Sequence, residues 1–187
     1  MAERLYYTDD DEANALLARD PLALLVGFVL DQQVSVQKAF TGPLELKRRL
    51  GRFDAQAIAG ADPGELERAF RQRPALHRYP GTMAQRVQDL CAAVVSDYGG
   101  DAARVWTEAK DGQDLRRRLL ELPGIGEMKA RSLIAIVGKR FGLRPPGWDE
   151  VAPGYPTLGD VDSPEALERY QEAKRAYKAQ RRAQASS

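Results

Sequence analysis

Leu122-Pro123-Gly124-Ile125-Gly126-Glu127-Met128-Lys129-Ala130 is the stretch on which the reading of this chain turns. Before it, Leu115, Leu119 and Leu120 fall at helical spacing; after it, Ala130, Leu133, Ile134 and Val137 do the same. Two helices joined by so short a turn need glycine where φ becomes positive or where a partner comes close. The second helix then opens with uncovered N–H groups and the positive end of its dipole, which together suit a phosphate. A helix-hairpin-helix of this form grips a nucleic-acid backbone without reading its bases. The competing reading is an ordinary corner between helices, with Pro and Gly as punctuation.

Working outward, nearly every segment reads as helix. Asp20-Pro21 supplies an N-cap and a first-turn proline ahead of Leu22-Ala23-Leu24-Leu25-Val26-Gly27-Phe28-Val29-Leu30, which is apolar on all sides and reads as a central core helix. Ser35 can cap a second helix ending at Gly51, and Asp62-Pro63 opens another ahead of Leu66 and Phe70. Helical spacing over 82–97 stops at Gly99-Gly100, and a short helix is expected over 101–110 around Val105 and Trp106. The hairpin helices are expected over 113–121 and 127–141, with Gly142 just past the end. From Leu143 to Asp162 the chain is rich in Pro and Gly and has no periodicity, and Ser163-Pro164 then caps a last helix. Its basic residues read as spread around it. Strand patterns are nearly absent, so the expected fold is all-α.

The length, 187 residues, suits one domain or two lobes sharing a core, and 43% hydrophobic residues suffice to pack it. Net charge is only +1, so the whole molecule is not a basic nucleic-acid binder. The charge is uneven, however. Glu3, Asp9, Asp10, Asp11, Glu12 and Asp20 load the start, while Arg169, Lys174, Arg175, Lys178, Arg181 and Arg182 load the end. Cys91 is the only cysteine and His77 the only histidine. An internal disulfide, a Cys-held iron–sulfur cluster and a His/Cys zinc site are thereby excluded, and no metal held by side chains is expected. No stretch resembles a signal peptide and no apolar run approaches a membrane span, so a cytoplasmic protein without a membrane partner is expected.

The hairpin gains meaning beside Leu30-Asp31-Gln32-Gln33-Val34-Ser35-Val36-Gln37-Lys38-Ala39. That helix end resembles the Gln-Gln-x-Ser-Val segment of helix-hairpin-helix (HhH-GPD) base-excision-repair DNA glycosylases, closest to their alkylation-repair, monofunctional branch. Tyr98-Gly99-Gly100-Asp101, an amphipathic helix and then the hairpin follow the same order, so the likeness covers roughly residues 20–142. It implies two helical lobes, with DNA and an extruded base in the cleft between them. One lobe is expected from residues 1–30 with 143–187, the other from 31–142, including the hairpin at 115–141.

The resemblance also assigns roles. Gly124, Ile125 and Gly126 would hold a phosphate, with a monovalent cation on the turn's carbonyls. Gln33 would enter or line the DNA stack beside Gln32, since an amide both donates and accepts. The alternative is that both merely cap the core helix. Members that also cut the strand carry a Schiff-base Lys two residues after the second Gly of the hairpin. Met128 stands there, and Lys129 occupies the next slot, usually Thr. One step rotates a side chain by about 100° on a helix. Lys129 is therefore expected at a phosphate or in solvent, and a monofunctional enzyme without lyase activity, using water as nucleophile, is expected.

The family's catalytic Asp lies about eighteen residues beyond that slot, in a Val-Asp-Thr loop, where it supports the oxocarbenium ion and orients water. Counting reaches Pro146, and the sequence contains no Val-Asp-Thr. Asp149 is the nearest carboxylate and the provisional catalytic residue; Glu150, Asp160 and Asp162 are the others in the loop. Trp148, with Tyr155 and Tyr79 behind it, is the expected stacking surface for a flipped base. Trp106 reads as core. The basic, Pro-bounded insert from Arg71 to Pro80 reads as a DNA contact or a solvated loop. Arg116, Arg117 and Arg118 point three ways on a helix, so most of them face solvent.

Taken together, the expectation is a monomeric hydrolase that binds damaged double-stranded DNA and breaks an N-glycosidic bond without a cofactor. Two rivals are a non-catalytic lesion-binding relative and a helical interaction scaffold whose hairpin packs internally.

Overall fold

The computed structural model describes residues 2–186. Among the described residues there is no strand, and the order is α1 Asp11–Arg19, α2 Pro21–Leu30, α3 Val36–Leu50, α4 Ala55–Ala59, α5 Pro63–Arg71, α6 Pro80–Tyr98, α7 Arg104–Thr107, α8 Gly112–Leu120, α9 Glu127–Lys139, α10 Trp148–Val151, a 3-10 turn Leu158–Asp160, and α11 Pro164–Ala185. Side-chain caps start most of them. Asp10, Asp20, Ser35, Asp54, Asp62, Asp111 and Ser163 each accept a hydrogen bond from an N–H of the first turn. Three helices were not expected from the sequence: α1, with an acidic first turn, α4, of only five residues, and α10, of four residues inside the Pro/Gly-rich stretch. The hairpin's second helix stops at Lys139, two residues before the expected end, with Gly142 at φ 72° beyond it.

Nine of the ten residues of α2 are buried, as its all-round apolar sequence demands. It packs chiefly on α3. A Cβ on Gly27 would stand 2.5 Å from Phe40, and one on Gly42 2.5 Å from Leu30, so both positions must lack a side chain for the helices to close. Phe40 then meets Tyr7 and Phe28 edge-on, each at 5.1 Å between ring centres. Helices α4 and α5 cover α6, and α6 also touches α2.

The expected lobe boundaries at residues 30/31 and 142/143 do not coincide with the packing. α2 belongs with α3 and α6, and the segment after residue 142 packs on α8 and α9. The second group therefore comprises α7 to α10 and the 3-10 turn, gathered around α9. The two groups share one continuous apolar core. The reason is that α2 has no polar face to present and is surrounded by both. The long Pro/Gly segment is not an open loop either. The Gly112 N–H donates to the Pro146 carbonyl at 2.8 Å, and Gly159 lies against Ala135 and Ile136 of α9. No single described helix is long and apolar enough to cross a membrane.

Candidate nucleic-acid interface

The site is assembled at a close approach between the hairpin turn and the end of α2. Gly124 has φ 83°, and a Cβ there would lie 3.1 Å from Cγ2 of Val29. The turn thus rests two residues before Asp31, and the two motifs read separately in the sequence are neighbours. Beyond the turn, α9 begins at Gly126 with no side-chain cap. The N–H groups of Gly126, Glu127 and Met128 find no acceptor among the described residues. Glu127 would repel a phosphate, but Arg131 at 2.9 Å and Arg116 at 2.7 Å pair with it and hold its carboxyl below the usual range. What remains is a helix start with open donors and its positive dipole end.

On the facing side, Asp31, Gln32 and Gln33 form the turn that leaves α2. Gln33 has φ 55° and is the only described non-glycine residue in the left-handed region. Such strain costs on the order of 1–3 kcal/mol and gathers at functional sites. The turn is held from behind by His77, which is 1% exposed. The Tyr79 N–H donates to His77 Nδ1 at 3.0 Å, so Nδ1 carries no proton. Nε2 must then be the donor, and it reaches the carbonyls of Leu30 at 3.1 Å and Gln32 at 2.9 Å. Burial, above all, lowers the His77 pKa and keeps the ring neutral. The sole histidine is a strut for this turn.

Both amides are oriented. The Arg86 guanidinium, which can only donate, bonds to the Gln32 side-chain oxygen, and the Tyr79 hydroxyl donates to that of Gln33 at 3.2 Å. The two NH₂ groups are left free to face a ligand. Neither Gln caps the core helix with its side chain, since its last carbonyls are taken by the N–H groups of Asp31 and Gln32 and by His77. The insert before Tyr79 is likewise no loose loop. Arg49 donates to the carbonyls of Ala69, Gln72 and Pro74, and Lys38 to that of Ala75.

Asp31 and Lys129 meet electrostatically across this junction. Burial raises the Asp31 pKa, partly offset by Lys174, Lys129 and Lys178, and burial lowers that of Lys129, partly offset by Asp31. Lys129 is therefore half-buried beside a carboxylate rather than in open solvent. Tyr155 stands at the rim, 40% exposed, with its hydroxyl 3.9 Å from the sulfur of Met128.

The remaining sequence candidates lie elsewhere. Asp149 is exposed on α10, which sits over the start of α8 and the last turn of α9. The rise from Lys129 to Gly138 puts that end of α9 about 14 Å from the turn. Asp149 is thus separated from the residues it was expected to serve, because the Trp148 ring anchors α10 there. Trp148 itself is not a base-pocket residue. It is 6% exposed, lies flush against Gly138 and donates its ring N–H to the Ile134 carbonyl at 2.9 Å. Asp160 is occupied by Lys139 at 2.5 Å and the Thr157 N–H at 2.8 Å, and exposed Asp162 directly precedes the cap of α11. Trp106 is core, as its helix pattern implied.

Asp31, Arg86 and Tyr170, whose pKa burial raises with Asp31 adding to it, are the residues about this junction that the sequence left without roles. For Asp31 a signal existed. It caps the C-terminal, negative end of a helix with no basic residue in its last turn, where a carboxylate is unfavourable.

A helical body thus sets an open hairpin amide cluster beside a strained turn of oriented amides. The profile of the HhH-GPD superfamily base excision DNA repair proteins matches residues 26–185, and the chain belongs to that superfamily. No curated protein and no solved structure matches it. Among the described residues no group of three or more His, Cys, Asp or Glu could hold a metal ion.

Proposed function

We propose that the chain is a DNA glycosylase that hydrolyses the N-glycosidic bond of a damaged base in duplex DNA, with Asp31 in the carboxylate role that the sequence reading gave to Asp149. The observation that carries this is the junction of the hairpin turn with the Asp31-Gln32-Gln33 turn at Gly124 and Val29. The hairpin amides of Gly126, Glu127 and Met128 hold a phosphate. Gln32 and Gln33 offer their NH₂ groups to the stack, and Tyr155 supplies a face for the extruded base. The Asp31 carboxylate accepts a proton from water as that water bonds to C1′ and the base leaves, and its charge supports the oxocarbenium ion. The Pro123 and Gly124 carbonyls accept no hydrogen bond among the described residues, which fits a monovalent cation that would add positive charge beside the phosphate.

The test is base release from duplexes each carrying one lesion, read with and without alkali. Alkali-dependent cleavage that is lost in Asp31→Asn and kept in Asp149→Asn supports the assignment. Loss in Asp149→Asn alone would return the chemistry to the loop. Binding to abasic DNA with no release of any base would establish the non-catalytic relative instead.

A second reading follows from Lys129. A half-buried amine with a lowered pKa is a competent nucleophile toward an abasic aldehyde. Its nitrogen would bond to C1′ with loss of water, giving an imine that borohydride reduces to a stable amine. A borohydride-trapped DNA adduct that disappears in Lys129→Gln would make the protein bifunctional; no adduct keeps it monofunctional.

A further inference from the structure

The last helix leaves the body. Every described residue from Glu172 onward is exposed, so the part of α11 from Glu172 to Ala185 projects about 20 Å. A helix that packs on nothing is marginal in water, and this one has no apolar face to explain its length. Its charges are ordered, however. At about 100° per residue, Lys174, Arg175, Lys178, Arg181 and Arg182 of this projecting part all fall within a sector of about 120°, while Arg169, before it on the same helix, lies on the far side. Glu172 and Ala176 lie on the other side. None of the five cations has an ion-pair partner among the described residues. The arginines beside the hairpin are the contrast, since Arg116, Arg117, Arg118 and Arg131 are all paired.

The direction of the stripe is set at its base. Gln171 exchanges two amide hydrogen bonds with Gln37 of α3, at 2.8 and 3.1 Å, and Lys174 and Lys178 act on the charge of Asp31. The cationic sector is therefore the side turned toward the junction. Lys174 and Arg181 lie over the rings of Tyr170 and Tyr177, at 5.7 and 6.0 Å, which restrains them on that side.

We propose that α11 is a phosphate arm: its stripe of Lys174, Arg175, Lys178, Arg181 and Arg182 lies along the backbone of the duplex whose lesion enters the junction, gripping DNA outside the hairpin. The arm spans about six base pairs at 3.4 Å each. It gathers five cations into one stripe in a chain whose net charge is only +1. This rests on the DNA-binding reading of the junction.

The experiment measures affinity for an abasic-site duplex of about 20 base pairs across salt, for the wild type and for a variant with all five cations changed to Gln. Glutamine keeps helix propensity, and circular dichroism checks that α11 persists. Each phosphate contact contributes about 0.9 to the slope of log K against log salt. The expected result is a slope shallower by two to four units and affinity at low salt reduced at least tenfold, with a Lys174→Arg, Lys178→Arg control unchanged. An unchanged slope in the Gln variant, beside a wild type that binds, overturns the arm and leaves the junction standing. Loss of binding to phosphatidylserine vesicles with DNA binding intact overturns it in favour of a membrane contact. A wild type with no affinity for duplex at any salt ends both readings.

Discussion

At the scale of single residues, the two hairpin glycines do different work. Gly124 is needed by the fold: its φ of 83° strains any side chain there, and the Val29 methyl 3.1 Å from its Cβ position crowds one. Gly126 has ordinary φ and nothing within 4 Å of a Cβ, so its bareness serves a partner. Gly124→Ala should cost about 1–2 kcal/mol of stability. Gly126→Ala should leave the melting temperature nearly unchanged while weakening duplex binding about tenfold, or about 1.4 kcal/mol. Equal DNA affinity in Gly126→Ala would take the α9 amides out of the interface. Asp31 obeys a related logic. Its folded pKa is raised, so its contribution to stability is full below the unfolded value and is lost as pH rises through the folded one. At neutral pH the ionised carboxylate costs stability, and Asp31→Asn should raise the melting temperature as it abolishes base release. A fall in melting temperature would mean that Asp31 is structural.

At the scale of elements, the strut behind the α2 turn makes that turn sensitive to acid. His77 is held neutral, burial keeping its folded pKa below the ordinary histidine value of 6.5. Its stabilising share is complete above that value and is lost as pH falls through the folded pKa, when a protonated Nδ1 would face the Tyr79 N–H. The wild type should therefore lose thermal stability, and with it DNA affinity, between neutral and mildly acidic pH. His77→Gln should show a flatter profile, and parallel profiles would free His77 of this role. The segment after α9 shows how an aperiodic stretch can still be rigid. Trp148 fills the space Gly138 leaves and ties α10 down, so Trp148→Ala should cost about 3–5 kcal/mol in a denaturant titration. Once folded at low temperature, the variant should bind DNA as the wild type does.

At the scale of the whole molecule, a nearly neutral chain concentrates its usable charge. The arginines beside the hairpin, Arg116, Arg117, Arg118 and Arg131, are consumed by neighbouring carboxylates, while the open amides of α9 and the stripe of α11 remain available. Net charge therefore says little about partners here, and distribution says more. The membership of the superfamily accounts for the hairpin and for the helix end that faces it.

The local signals were legible without any structure. Asp20-Pro21, Ser35, Asp62-Pro63 and Ser163-Pro164 mark helix starts through bonds made within four residues, and the periodicity between them marks which faces are buried. The Leu122–Ala130 stretch likewise carries its turn in its own glycines. Contacts between distant parts of the chain were not legible in that way. That Val29 meets Gly124, that Asp31 rather than Asp149 shares the junction with Lys129, and that Trp148 is core were decided by tertiary packing. The physical reason is range: caps and periods are set by neighbours in sequence, whereas the burial that shifts a carboxylate and the approach that needs a bare glycine depend on elements about a hundred residues apart.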